Sequence, residues 1–481
     1  MMSFAFVLTE LVVHGIPSLV PEPIRPVIEE PWWPVAGKPQ LPDAYHLDKL
    51  ELVDFAVWQA ADGTWQLWSC IRNTRCGGHS RLFYGWEGRS LTDTDWTPQG
   101  IKMEARPDLG EAAGGLQAPH VVNADGRYVM AYGDWENICF AESRDGKNFE
   151  RIVRADGETG AFGEGPEANA RDPMLIRIDG AWYGYYTAIR NGRGYGFCRI
   201  SPDLKTWSQS AVVSYGGRVG PGPWFNECPH VVEVLPGEFV YFRNQYYGQG
   251  QTNWACYSRN PLNFGIDDDT DLVARLSVAA PEIILHEGRY YIASLKPGLD
   301  GIQIARLRFR RCGGPGAPVF NFDDAAGREG WRITEGSLPT IFCDRPHAQG
   351  FRAGPHADCQ GPTRFVIGTG ETNAGACDDD MTCTIESPVF DLSQEVYYLF
   401  VGGGNNPERL YVAIIEEGSN KELARYTGTY SNILGRHRFM ALDAVGHRAR
   451  IRIVDQAKGP WGHVNFGGIC AEALQPVSCP S

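Results

Sequence analysis

"RDPMLIRIDGAWYGYY", residues 171–186, places an Arg-Asp-Pro triplet before an apolar run, an Asp-Gly pair and a second, aromatic-rich run. Two such runs joined by Asp179-Gly180 predict a β-hairpin, because Asp-Gly readily takes the positive φ angles of a tight turn. The unit occurs four more times: "DFAVWQAADGTWQLWS" from Asp54, "APHVVNADGRYVMAYGD" from Ala118, "CPHVVEVLPGEFVYFRN" from Cys228 and "APEIILHEGRYYIAS" from Ala280. Between these hairpins a Ser/Asp turn ending in an aromatic recurs: "SLTDTDW" at 90–96, "SRDGKNF" at 143–149, "SPDLKTW" at 201–207 and "SRNPLNF" at 258–264. Repeats spaced about 52 to 64 residues apart, each supplying about four strands, predict the blades of a five-bladed β-propeller.

The rest of the chain fits an all-β protein of more than one domain. Its 481 residues are 43% hydrophobic and 12% aromatic, enough to bury a large core and to divide into two domains. "RRCGGPGAP" at 310–318 reads as a Gly/Pro-rich break, after which the blade unit disappears. Alternating segments such as "RLYVAIIEEG" and "RARIRIVD" then predict a β-sandwich over residues 319–481. The expected organisation is an extended, proline-rich segment at 1–44 that packs along the propeller or precedes it, the propeller at 45–310, and the sandwich.

A formal charge of −14 argues against nucleic-acid and anionic-membrane partners, which need concentrated Lys and Arg; neutral oligo- or polysaccharides fit better. The apolar N-terminal stretch is interrupted by Glu10 and has no Lys or Arg before Arg25, a poor match to a signal peptide or a bilayer span. Thirteen cysteines without CxxC pairs indicate neither a zinc site nor a disulfide framework. Cys343, Cys359, Cys377 and Cys383 cluster and could pair in an exported protein; the compartment stays open, with the cytoplasm slightly favoured.

In a propeller the first strand of each blade lines the axial channel, and the loops leading into those strands converge on one face. Asp172 should therefore point into the funnel, Asp54 holds the same place in blade one, and Glu227 directly precedes the first strand of blade four. Three converging carboxylates suit glycoside hydrolysis: one as nucleophile or base, one protonated acid, and a third to stabilise an oxocarbenium-like centre. Crowding also separates their pKa values. The plainer reading is that each Asp-Pro is a turn or edge device, and a sugar-binding propeller without chemistry is a further alternative.

"RDP" at 171–173 and "NEC" at 226–228, on successive blades, resemble the paired motifs of glycoside hydrolase families 32 and 68, five-bladed furanosidases, with family 43 a structural cousin. The resemblance spans roughly residues 45–308 and extends to "SPVFDL", "LFVGGGNN" and "GPWGHVNFGGI", which look like the sandwich attached to such enzymes. It implies a β-fructofuranosidase-type enzyme with Asp54 as nucleophile, Asp172 as transition-state stabiliser, Glu227 as acid/base, and Arg171 orienting substrate or the neighbouring acid. Around Asp54 the chain reads "LVDFAVW" rather than an Asn-Asp-Pro-Asn-Gly motif, so a family-43-like inverting arabinofuranosidase is the alternative enzyme.

Other residues should line the funnel. Trp135 and Trp224 sit in rim loops where an aromatic face can stack on a sugar ring, and Asp134 and Asn226 could bond its hydroxyls. His120 and His230 occupy equivalent "PH" positions and read as hydrogen-bonded funnel residues rather than metal ligands, since no third ligand has suitable spacing. Glu282, one step inside its strand, is a further funnel carboxylate or an ion-pair partner. No cofactor is expected; Asp323 and Asp324 could hold a structural Ca²⁺, but two acids at a strand end are more often solvated.

Overall fold

The computed structural model describes residues 22–343, 362–363, 365–372 and 377–477. Blades one, three and four are the predicted four-stranded units, each built from consecutive antiparallel neighbours, and in blade two the short strands Glu150–Arg151 and Gly160–Phe162 both pair with Ile138–Ser143. Blade one is Glu51–Gln59, Trp65–Arg72, Leu82–Gly88 and Thr97–Met103. Blade three is Arg171–Ile178, Ala181–Arg190, Arg193–Ser201 and Ala211–Ser214, and in its hairpin Met174 pairs with Tyr185 and Ile178 with Ala181 across the Asp179-Gly180 turn. Blades two and four begin with Gln117–Ala124 and Glu227–Leu235.

Blade five departs from the expectation at both chain ends of the propeller. Its inner strands are Glu282–His286, Arg289–Leu295 and the first half of Ile302–Pro318; the fourth is Ile24–Ala36. The proline-rich N-terminal segment is thus a strand of the last blade. It runs antiparallel to Ile302–Pro318, with Ile24 opposite Arg311 and a register shift between Glu29 and Trp33. Prolines are tolerated there because an edge strand needs donors on one side only. The Gly/Pro-rich stretch at 310–318, expected to break the chain, instead continues the Ile302 strand out of the propeller and pairs with Val464–Pro476 of the sandwich. Shifts between Cys312 and Pro315 and between Pro315 and Pro318 absorb the prolines as bulges.

Apolar faces of adjacent blades pack against one another and form the core. Leu52, Trp65 and Leu67 of blade one meet Ala293, Leu295 and Ile304 of blade five, and Val53, Trp68 and Phe83 meet Met130 and Tyr132 of blade two. Equivalent clusters fill the remaining gaps. The sandwich has its own interior, where Ile385, Val412, Ile414 and Ile451 face Leu399, Phe439 and Phe466. Arg25, from the N-terminal strand, ties the domains by pairing with Glu472 at 3.1 Å and with Glu395. Arg438 Nη1 donates to the Leu272 carbonyl of blade four at 2.9 Å. Among the described residues no helix is long and apolar enough to cross a membrane. Cys359 and residues 1–21 lie outside the described residues.

Candidate active site

The five innermost strands share one backbone irregularity, and it places the candidate carboxylates. Asp54, Ala118, Asp172, Cys228 and Ala280 stand at equivalent positions and all have positive φ: 24°, 37°, 56°, 47° and 47°. In blades one to four the ladder slips there, between Val53 and Phe55, Gln117 and His120, Arg171 and Met174, and Glu227 and His230. The next residue is Pro119, Pro173, Pro229 or Pro281 in four blades, and it has no N–H to lose from the ladder. Positive φ costs a non-glycine residue about 1–3 kcal/mol and tends to cluster at functional sites. A ring of side chains around the axis results, filled by two carboxylates, a thiol and two methyl groups.

Asp54, Asp172 and Cys228 line one narrow cleft with Phe55, Ala280 and Glu282. Asp54 is 6% exposed and Asp172 3%. Glu227, one residue before the ring, reaches the same place through Arg171, its equivalent in blade three. Arg171 Nε donates to Glu227 Oε1 at 2.9 Å and lies 3.7 Å from Asp172 Oδ2. The other guanidinium nitrogens are anchored: Nη1 to the Asn169 carbonyl and side-chain oxygens at 3.1 and 3.2 Å, Nη2 to the Pro223 carbonyl at 3.2 Å. The exposed Trp224 ring covers the guanidinium at 5.0 Å. Arg171 therefore holds the candidate acid and fixes the wall of the funnel.

Tyr247, absent from the sequence reading, and Cys228, given no role there, complete the arrangement. Tyr247 donates its hydroxyl proton to Asp54 Oδ1 at 2.8 Å, and the Cys228 thiol donates to the same oxygen at 3.2 Å. The Cys228 backbone N–H donates to Asp172 Oδ2 at 3.1 Å. Burial, followed by the charge of Asp54, pushes both the Cys228 thiol and the Tyr247 phenol well above their ordinary values, so both keep the protons they donate. Tyr247 ends the hairpin of blade four, 20 residues after Glu227, and only the blade's fold brings it back to the ring.

Burial is also the main influence on two of the carboxylates. It pushes Asp172 well above the usual carboxylate range, with Asp54 adding to the shift and Arg171 opposing it. Glu227 is raised as well, by burial against the pull of Arg171, and Asp54 contributes. Burial thus favours the protonated forms of Asp172 and Glu227, while Tyr247 and Cys228 place two donors on Asp54.

Other expected residues are placed differently. Asp134 is 1% exposed, and its oxygens accept from the backbone N–H groups of Glu136 and Asn137 and from the Cys139 thiol. It builds the turn that presents Trp135 and has no face for a sugar. Asn226 is fully buried; its amide donates to the Gly194 carbonyl and its side-chain oxygen accepts from Arg243, so it locks blades three and four together. Trp135 is half-buried and stacked on His79 at 3.7 Å. Asp323 and Asp324 accept from the Phe365 N–H and the Asn321 amide.

His120, His230 and Glu282 meet one layer below the ring, so a third group does accompany the two histidines. Their Nδ1 atoms lie 3.6 and 3.7 Å from Glu282 Oε2 and Oε1, and the three groups could jointly hold a metal ion. Their outer partners set the tautomers. His120 Nε2 donates to the Leu175 carbonyl at 3.2 Å, leaving a lone pair on Nδ1, whereas the Ile283 N–H donates to His230 Nε2, leaving the proton on Nδ1. A metal at His230 would have to displace that proton and break the Ile283 bond; as folded, both Nδ1 atoms face the Glu282 carboxylate beyond hydrogen-bond distance. Burial opposes the charge of Glu282, but His230 and His120 outweigh it and lower its pKa.

No family model matches the chain. Among curated proteins it is similar to ecdE of Aspergillus rugulosus, a provisionally assigned glycosyl hydrolase, with 25% identity over 275 residues covering 56% of this chain. The match spans a third of that protein's length, 33%. Among solved structures it resembles a thermostable family-43 glycoside hydrolase at TM-score 0.43 and 16% identity, covering 56% of this chain and 92% of that one. An endo-arabinase of Bacteroides thetaiotaomicron gives 0.43 and 14%, covering 54% and 94%. The Bombyx mori family-32 β-fructofuranosidase in complex with sucrose gives 0.40 and 13%, covering 93% of this chain and 95% of its own.

Proposed function

We propose that this protein is a glycoside hydrolase acting on furanosides, in first place on a terminal β-fructofuranosyl unit. The observation that supports the reading is that Asp54 and Asp172 line one axial cleft while Glu227, bonded to Arg171, lies close enough for the charge of Asp54 to act on it. Glu227 gives its proton to the glycosidic oxygen as the bond from that oxygen to the anomeric carbon breaks. Asp54, with Oδ1 held by Tyr247 and Cys228, uses its other oxygen to bond the anomeric carbon. Water then attacks that carbon, its proton passing to the Glu227 carboxylate, and Asp54 leaves unchanged. Asp172 stabilises the positive charge that develops on the ring in both steps.

The sequence around Asp54, "LVDFAVW", favours a second reading in which Asp54 takes a proton from water and the product is inverted, as in an arabinofuranosidase of family-43 type. Turnover of sucrose, levan and inulin against aryl arabinofuranosides, with the product anomer followed by NMR, separates the two. In either case Glu227→Gln should lose about 10² to 10⁴ in rate on substrates with poor leaving groups. Full turnover by that variant defeats the assignment, and glycan binding without turnover by the unaltered protein indicates a lectin-like propeller.

A further inference from the structure

Arg81 has its backbone fixed and its charge unpaired. It stands just before the Leu82–Gly88 strand of blade one; its N–H donates to the Gly114 carbonyl at 3.0 Å, and it bridges Gly115 in the loop entering blade two. The two loops touch so closely that only glycine fits. A Cβ on Gly78 would lie 1.8 Å from the Ala113 oxygen, one on Gly114 2.2 Å from the Gly77 oxygen, and both glycines have positive φ. A strand start held this tightly aims its side chain reproducibly.

That side chain is half-buried, and its guanidinium lies 5.0 Å from the Trp135 ring, which is itself stacked on His79. Among the described residues no carboxylate or carbonyl accepts from it. Arg171, Arg151 and Arg199 each make three or more hydrogen bonds, and the buried Arg243 makes two, to Ser214 Oγ and Asn226 Oδ1. Asp54, Asp172 and Glu227 are close enough for their charges to act on Arg81, and with the Cys70 thiol they raise its pKa although burial opposes its charge. None of them forms an ion pair with it. Each is committed elsewhere, to Tyr247, to the Cys228 N–H or to Arg171.

A guanidinium has five donors in a planar fork and no acceptor, a geometry that matches a carboxylate bidentately. A neutral sugar that displaced water from Arg81 would leave its charge uncompensated in a partly desolvated funnel, whereas an anionic one would neutralise it. The exposed His79 imidazole, backed by the Trp135 indole, supplies a flat face on which a pyranose or furanose ring stacks. We propose that Arg81, Trp135 and His79 form a subsite for a carboxylate-bearing sugar, so that the glycan accepted beside the three carboxylates contains a uronate unit.

The proposal rests on the funnel receiving a glycan and is tested by binding, without turnover. The full-length protein, Arg81→Gln and Arg81→Lys are titrated with D-glucuronate and with D-glucose, followed by ligand-observed NMR. The expected result is at least about a tenfold preference for glucuronate in the unaltered protein, the margin of a charge-assisted over a neutral hydrogen bond. Arg81→Gln should lose the glucuronate preference and keep its affinity for glucose, while Arg81→Lys should keep part of the preference. Equal binding of the two sugars to the unaltered protein overturns the proposal. So does a loss of both in Arg81→Gln, which would make Arg81 a charge balance for the three carboxylates. Because Arg81 makes no side-chain hydrogen bond, melting of Arg81→Gln should match the unaltered protein, and a misfolded variant is recognised there. Failure of the hydrolase reading shows separately, as full activity of Glu227→Gln.

Discussion

Replacing Arg171 with Met tests whether this arginine serves the acid or only the fold. Arg171 is 1% exposed, its aliphatic stem is already packed, and Met keeps most of the volume. The charge and its four hydrogen bonds are lost. The change breaks a buried ion pair with Glu227 and leaves the Asn169 and Pro223 carbonyl oxygens without their donor. Removing one partner of a buried pair costs about 3–5 kcal/mol. At about 2–4 °C per kcal/mol for a domain of this size, the melting temperature should fall by about 6–20 °C. The pH profile carries the sharper information. Arg171 opposes the upward shift of Glu227, so its loss lets burial and Asp54 raise that carboxyl further. Glu227 acts in its protonated form, hence the alkaline limb of kcat/KM for the folded variant should move to higher pH while kcat falls. The assay is kcat/KM against pH on an aryl furanoside, below the melting temperature of both proteins. An active variant whose alkaline limb stays in place would refute the pairing of Arg171 with a catalytic Glu227.

Asp172→Asn should lower kcat and kcat/KM together, because a stabiliser bonds the ring more tightly as positive charge develops. Its stability should respond with the opposite sign: the folded pKa of Asp172 is raised, so the unaltered carboxyl favours folding below its unfolded pKa and loses that contribution as pH rises, and Asn should hold or raise the melting temperature at neutral pH but give no gain near pH 3. A less stable variant with normal specific activity at neutral pH would make Arg171-Asp172 a strand-capping pair. For Asp54→Asn, azide should restore turnover of an activated substrate and give the inverted product, seen by NMR, if Asp54 is a nucleophile; no rescue is expected at Asp172. In the sandwich, burial pushes Asp455 up to about 7 against a hydrogen bond from Thr369 at 2.5 Å, so the unaltered protein should lose stability between about pH 4 and 7, and denaturant unfolding should find Asp455→Asn more stable at pH 8 and equal at pH 3.5.

The blades were legible because each repeats the same local chemistry, apolar alternation either side of a Gly-containing turn, and because that repetition also identifies which residues stand at equivalent places. Asp54, Asp172 and Glu227 followed from it. What the repeat does not encode is pairing between distant segments. "IRPVIEEPWWPVA" has the prolines of a tail, yet as the outer strand of blade five it needs hydrogen bonds on one side only. The Gly/Pro stretch at 310–318 has the composition of a linker, and its bulges let it remain a strand. Asp134 and Asn226 were misplaced for a different reason: the sequence puts them beside the funnel, but their turn and blade partners take every polar atom they have. Tyr247 and Arg81 reach the site from strand ends remote from the motifs. Their only sequence signals are an aromatic at the close of the blade-four hairpin and an Arg three residues after a Gly-Gly pair, and neither points to the axis without the fold.

The five equivalent positive-φ positions also bear on how such a scaffold changes its chemistry. Asp54, Asp172 and Cys228 sit in three of them and Ala118 and Ala280 in the other two, yet the backbone bends alike in all five. The geometry that aims a side chain at the axis is therefore independent of which side chain is there. A designer can exchange acid, thiol and methyl at these stations with the backbone already in place. Ala118 and Ala280 are the stations to start from, since a histidine or carboxylate placed there enters a position already shaped to point inward, and the strain of that backbone is borne whether or not the residue does chemistry.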